Sequence, residues 1–277
     1  MLVTAGCSFV WGDELDGFDT NPPSHWELTW THLLSQALGT EYVNLGSCGA
    51  SNDKIFREVV SYLHNPANER PTHMVVLWSA WQRHEIVEYM RPNRIARLNL
   101  MRTNDVTQFS PMRTEVIGNK LARKAYANLF LDAYDSRTDI MHGLTRMQSM
   151  ELICESMGIH LIQGVFHHNA WGNILSTLKD QGAAHDATVY ALKKIDAAPA
   201  YKQWLTDAVG SLKKTSRFGL GRAPTLSNIM HEIGDVKPFG HPGERSQEIW
   251  AEILYETFKT FGTDEPLPKV KQFSLYK

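Results

Sequence analysis

The chain is poor in cysteine, in net charge and in long apolar runs, and each shortage closes off a class of protein. Only three cysteines occur in 277 residues, Cys7, Cys48 and Cys154, with no CxxC pair and no metal-ligand spacing. A disulfide framework and a metal site are therefore not expected, and a reducing compartment is the simplest setting. The formal net charge is -2, from 28 basic and 30 acidic residues, so nothing electrostatic recommends nucleic acid or an anionic membrane as a partner. No stretch is long and apolar enough to span a bilayer, and residues 1–5 form no basic leader, so a cytoplasmic protein is expected, or one exported by a route the sequence does not show. Internal repeats, low-complexity tracts and cofactor motifs are missing as well. What the chain does have is 43% apolar and 10% aromatic residues, enough for the sizeable core of one domain spanning residues 1–277.

Apolar periodicity divides the chain into alternating strands and helices. Leu2–Ala5 is a short apolar run stopped by Gly6, as a buried strand entering a turn would be. Trp26–Leu38 has helical spacing and ends at Gly39, and Glu41–Leu45 predicts a second strand. Asn52–Leu63 presents Ile55, Phe56, Val59, Val60 and Leu63 on one helical face, with Ser51 placed to cap it. His73–Trp78 (HMVVLW) has the continuous apolar character of a strand buried on both faces of a parallel sheet. Residues 79–114 are mixed and yield no assignment. Residues 119–157 are helical with a break near Ser136-Arg137, and a strand follows over residues 158–163. Residues 167–234 interrupt the rhythm, with helical stretches at 187–195 and 201–212 between glycine-rich turns, and are expected to form an insertion or cap. A final amphipathic helix is predicted over residues 246–261, before an irregular tail. The alternation predicts a flavodoxin-like, doubly wound parallel sheet in a three-layer α/β/α arrangement with a helical insertion, its site at the carboxyl ends of the strands.

Three short blocks fall at such ends. Ala5-Gly6-Cys7-Ser8-Phe9 puts a serine just past the first strand, where its hydroxyl can face a cleft and its N–H can meet an oxyanion, although a serine there can also simply cap the next segment. Asn44-Leu-Gly-Ser-Cys-Gly-Ala-Ser-Asn52 closes the second strand with two glycines, which suits either oxyanion donors or a tight turn. Phe239-Gly-His241-Pro-Gly243 holds a histidine at the entrance of the last helix, either as a positioned base or as one surface histidine among 12.

In this order the blocks resemble those of the SGNH (GDSL-type) hydrolase superfamily, and the wording GCSFVWGDEL and NLGSCGASND is similar to such proteins from tailed bacteriophages. The resemblance implies that Ser8 is the nucleophile and His241 the general base. It also implies that the backbone N–H groups of Ser8 and Gly49 line an oxyanion hole. Two positions depart from the pattern. The family's aspartate three residues before the histidine is here Pro238, which leaves Asp235, a backbone carbonyl or a bare Ser–His dyad. The family's asparagine after the third strand is missing from Leu77–Arg83, so Asn52, Ser79, Gln82 or Arg83 would have to donate instead.

Arg83 could equally bind an anionic part of the substrate or pair with Glu85 or Asp13. Trp78 and the other tryptophans are expected to fill the core and line the cleft rather than bind a sugar, and Asp13 and Glu14 to lie near it, with Asp13 a candidate to position a neighbouring residue or contact the substrate. The function implied is an esterase or deacylase that works through a Ser8 acyl-enzyme. Its substrate would be a small-molecule or carbohydrate ester, such as an O-acetylated sugar, with no cofactor and no metal. A transferase using the same intermediate is an alternative, as is a weak or inactive binding or phage structural protein on the same scaffold.

Overall fold

The computed structural model describes residues 1–17, 24–79, 83–87, 95–102, 109–111, 136–166, 199–216, 218–220 and 225–261, with side chains for all of these except 83–111, 136–139 and 199–202. Four strands, β1 (Leu2–Ala5), β2 (Tyr42–Asn44), β3 (His73–Trp78) and β7 (His160–Val165), form a parallel sheet in the order β2-β1-β3-β7. Leu2 pairs with Tyr42 on one side and His73 on the other, and Trp78 pairs with Val165. The main helices are α2 (Trp30–Leu38), α3 (Asn52–His64), α4 (Ser136–Ser156), α5 (Pro199–Ser211), α6 (Leu226–Ile233) and α7 (Glu244–Lys259), and a single turn, α1 (Ser8–Trp11), follows β1.

Strand order and handedness place the helices. The chain steps from β1 outward to β2 and then back past β1 to β3, so right-handed crossovers put α2 on one face and α3 on the other. The packing agrees: α2 lies against α7, and α3 against α4. The result is the α/β fold expected from the alternation of elements, with a topological switch point at β1, where such sheets open a crevice at their carboxyl ends. No helix among the described residues is long and apolar enough to cross a membrane.

Several boundaries differ from those predicted. The helix expected from Trp26 begins at Trp30, because Thr29 caps it by accepting from the His32 N–H, while His25–Leu28 forms a separate 3-10 turn. Residues 79–114, unassigned from sequence, contain β4 (Arg83–Val87), β5 (Ile95–Arg102) and β6 (Phe109–Pro111), an antiparallel sheet in that order. Helix α6 was not anticipated, although Thr225 and Asn228 close a capping box at its start. Leu205, Val209, Phe218, Leu226 and Ile229 join the same buried cluster as the strands. The predicted stretches 119–135 and 187–195 and the tail after 261 lie outside the described residues.

At the amino ends of the strands, His73 meets Phe258 edge-on at 4.9 Å and His160 at 5.4 Å. Burial, with the His160 and N-terminal charges adding to it, holds the His73 pKa below its ordinary 6.5. A depressed imidazole favours the folded state above the unfolded pKa and loses that contribution as pH falls through the folded one. The urea midpoint is therefore expected to drop between pH 7.5 and 5.5, and to drop less in His73→Gln.

Candidate active site

Ser8 reaches the cleft because β1 ends against a glycine. A Cβ on Gly6 would lie 2.3 Å from Val10 Cγ2 and 2.8 Å from the Leu77 carbonyl oxygen, so the close passage of the chain beneath α1 needs the bare backbone. Cys7 O accepts from the N–H groups of Val10 and Trp11, and Gly12, left-handed at φ 85°, ends the turn by donating to Ser8 O. Ser8 starts this turn and is buried.

His241 arrives on a small hairpin. Val236 bridges Pro242, Lys237 N–H donates to His241 O at 2.8 Å, and Gly240, at φ 90°, makes the bend. Ser8 Oγ lies 3.0 Å from His241 Nε2, and the Phe9 ring lies 5.6 Å from the imidazole, centroid to centroid.

The carboxylate on the far side of the imidazole is Glu14. Its Oε2 is 2.5 Å from Nδ1 and accepts from the His241 backbone N–H at 3.3 Å, while Oε1 accepts from the Phe239 N–H at 2.8 Å. Glu14 is the one described non-glycine residue with positive φ, at 67°, a conformation that costs roughly 1–3 kcal/mol and persists where surrounding contacts enforce it. Burial pushes its carboxyl up, but the Phe239 N–H and the hydrogen bond and charge of His241 outweigh that, so its pKa lies below the ordinary carboxylate value. An ionised carboxylate only accepts, so Nδ1 carries the ring proton and Nε2 offers its lone pair to the Ser8 hydroxyl. The two loops are clamped together by Lys237, which pairs with Glu244 at 2.8 Å and Asp16 at 3.5 Å.

Asp235, expected to orient His241, is engaged elsewhere. Its Oδ2 accepts from both the N–H and the Oγ of Ser246 at 2.7 Å, which satisfies the first turn of α7. Trp78, expected in the cleft, is fully buried in the core, where its Nε1 donates to Gln163 Oε1 at 2.8 Å. As the last residue of a central strand packed on both sides, its ring has no route to solvent. Arg83 opens β4, and its side chain lies outside the described set, as do Trp81 and Gln82 altogether.

Gly49, left-handed at φ 69°, occupies the third position of a turn closed by the Ala50 N–H on Ser47 O. Among the described residues no group accepts the N–H of Ser8 or Gly49. Asn52 is locked rather than free to swing: its Oδ1 accepts from Ser79 N–H at 2.7 Å and its Nδ2 donates to Ser79 O at 3.1 Å. That exchange ties the start of α3 to the end of β3 and leaves one Nδ2 hydrogen not taken by any described residue.

Asp13 stands beside this chain, with Oδ2 3.5 Å from His241 Nε2. The Cys48 thiol hydrogen-bonds to it, and burial together with the Asp13 charge pushes that thiol up to about 12, which keeps it a neutral donor. Past Cys48 a groove of about 570 Å³ opens along Trp11, Leu45, Gly46, Ser47, Lys54 and Glu58. Neither Ser8 nor His241 lines it; Cys48, which does, hydrogen-bonds to Asp13.

Sequence reasoning missed Glu14 as the partner of His241. Its one local sign is an acid two residues past a glycine in the loop after Ser8, and nothing in that spacing points at a residue 227 positions away.

Among known proteins, residues 20–101 match a family model described as "Family of unknown function (DUF6071)", which leaves out both Ser8 and His241. No curated protein matches the chain. Similar solved structures include one described as lipolytic, of the G-D-S-L family, from Desulfitobacterium hafniense DCB-2, at 10% identity and TM-score 0.44, over 92% of this chain and 97% of that one. Another is a member of the lipolytic G-D-S-L family from Veillonella parvula DSM 2008, at 12% identity and TM-score 0.41, over 94% and 97%. Likenesses this distant say nothing of substrate or mechanism, so the chemistry has to come from the residues of this chain.

Proposed function

We propose that this chain is a serine ester hydrolase in which Ser8, His241 and Glu14 form the catalytic triad. The observation that carries the reading is the continuous hydrogen-bonded line from Ser8 Oγ to His241 Nε2, and from Nδ1 to Glu14. Ser8 Oγ attacks the acyl carbonyl while Nε2 takes its proton, and Glu14 stabilises the imidazolium that forms. The N–H groups of Ser8 and Gly49, with the second Nδ2 hydrogen of Asn52, hold the oxyanion. The imidazolium then protonates the departing alcohol, and water, deprotonated by the same nitrogen, releases the acid and restores Ser8.

The groove beside Cys48 suits a hydroxylated leaving group, since Trp11 offers an aromatic face and Lys54 and Glu58 offer polar contacts. An O-acetylated carbohydrate fits that description and the phage-like wording of the sequence blocks. The second reading is an inactive binding or structural protein, which the missing acid at position 238 and the missing asparagine after the third strand favour; Glu14 beside Nδ1 weighs against it on the first count.

The test is reaction of the purified protein with a fluorophosphonate, read by intact mass. One adduct is expected on the wild type, none on Ser8→Ala and slow formation on His241→Ala. A folded wild type that gains no adduct overturns the reading.

A further inference from the structure

Asp13 takes no part in the relay just described, yet its carboxylate is 3.5 Å from the nitrogen that Ser8 Oγ contacts at 3.0 Å. Its position is held by the chain itself, because the Asp13 N–H donates to Ser8 O at 3.1 Å. Among the described residues it has no lysine or arginine partner: it faces His241 and the neutral thiol of Cys48. The other described charges nearby are engaged elsewhere. Glu14 faces Nδ1, and Lys237 is already shared between Glu244 and Asp16. With its side chain only 22% exposed, Asp13 projects a field into the cleft that water screens poorly.

Resting on the reading of Ser8 as nucleophile, we propose that Asp13 sets the charge specificity of the site, admitting acyl esters that are neutral or cationic beside the scissile bond and turning away those that carry an anion there. A substrate ammonium or hydroxyl in that position donates to Oδ2, whereas a carboxylate or phosphate meets like charge a few ångströms away, with no cation among the described residues between them. The same contact favours cationic substrates without touching the reacting bond, so Asp13 acts as a specificity residue.

Three fluorophosphonates that share one reactive centre and differ only in a neutral, quaternary ammonium or carboxylate end group test this on the full chain. The rate of adduct formation on Ser8 is expected to run ammonium, then neutral, then carboxylate, with a spread on the order of tenfold to a hundredfold at low salt. In Asp13→Asn the spread should shrink to within about threefold, and in the wild type it should narrow as salt is raised to 0.5 M. An unchanged order and spread in Asp13→Asn, or a wild-type spread insensitive to salt, overturns the assignment. Fastest labelling by the carboxylate probe also overturns it and makes the site one for anions. If no probe labels Ser8, the hydrolase reading falls and this inference with it. Equal labelling by all three removes this inference alone.

Discussion

Glu14→Gln is expected to lower kcat/KM by about 10³–10⁴ while the protein stays folded. A glutamine amide can turn its N–H₂ toward Nδ1, and an imidazole that accepts there must carry its proton on Nε2. That proton would point at Ser8 Oγ, where a lone pair is needed, so the geometry would survive and the base would not. Asp235→Ala should do the opposite. Its carboxylate satisfies the N–H and hydroxyl of Ser246, so its loss should cost about 1–2 kcal/mol of stability, as loss of a helix cap does, and reduce kcat/KM much less than Glu14→Gln.

The pair of variants, each measured by ester turnover and by urea unfolding, separates the carboxylate that orients the imidazole from the one that holds a helix. Acid adds a second signature. The Glu14 pKa is depressed in the fold, so its contribution to stability is present above the ordinary 4.5 and is lost as pH falls through the lower folded value. Glu14→Gln should therefore flatten the fall in stability below about pH 4.5. A Glu14→Gln enzyme with wild-type turnover would remove Glu14 from the triad.

The largest effect on stability is expected from Gly6→Ala. The added methyl would overlap Val10 Cγ2 at 2.3 Å and the Leu77 carbonyl oxygen at 2.8 Å. Val10 is fully buried and Leu77 O belongs to the central strand β3, so neither can give way without moving the sheet. Overpacking of this kind costs about 1–3 kcal/mol, and with a backbone atom as the obstacle the upper end or beyond is expected. Because Gly6 leads directly into Ser8, fluorophosphonate labelling should fall with it. Gly39→Ala is the comparison: no heavy atom lies within 4 Å of a Cβ there, and only its φ of 63° resists the change, for a cost of about 1 kcal/mol. Equal urea midpoints for the two variants would show that the crowding at Gly6 is relieved cheaply.

The sequence by itself determined the elements whose cause is local. The apolar run His73–Trp78 reads as a buried strand and is one, and the face of Ile55 and Val59 behind Ser51 reads as a capped helix and is one. It also determined that Ser8, Gly49 and His241 stand at element ends, since each lies beside a glycine or proline at the point where the apolar periodicity stops. The tertiary structure alone decided which carboxylate meets His241. Asp235 is near it in the chain and Glu14 is 227 residues away, yet the positive φ of Glu14 and the clamp of Lys237 bring the distant acid to Nδ1, while the near one is drawn into the first turn of α7. It decided likewise that Trp78 fills the core, because an indole at a strand end can face solvent or sheet and only the layers around it choose. Turn and strand propensities act over a few residues and can be read along the chain. Hydrogen-bond partners are selected by the packing of whole layers, and no local pattern records that choice.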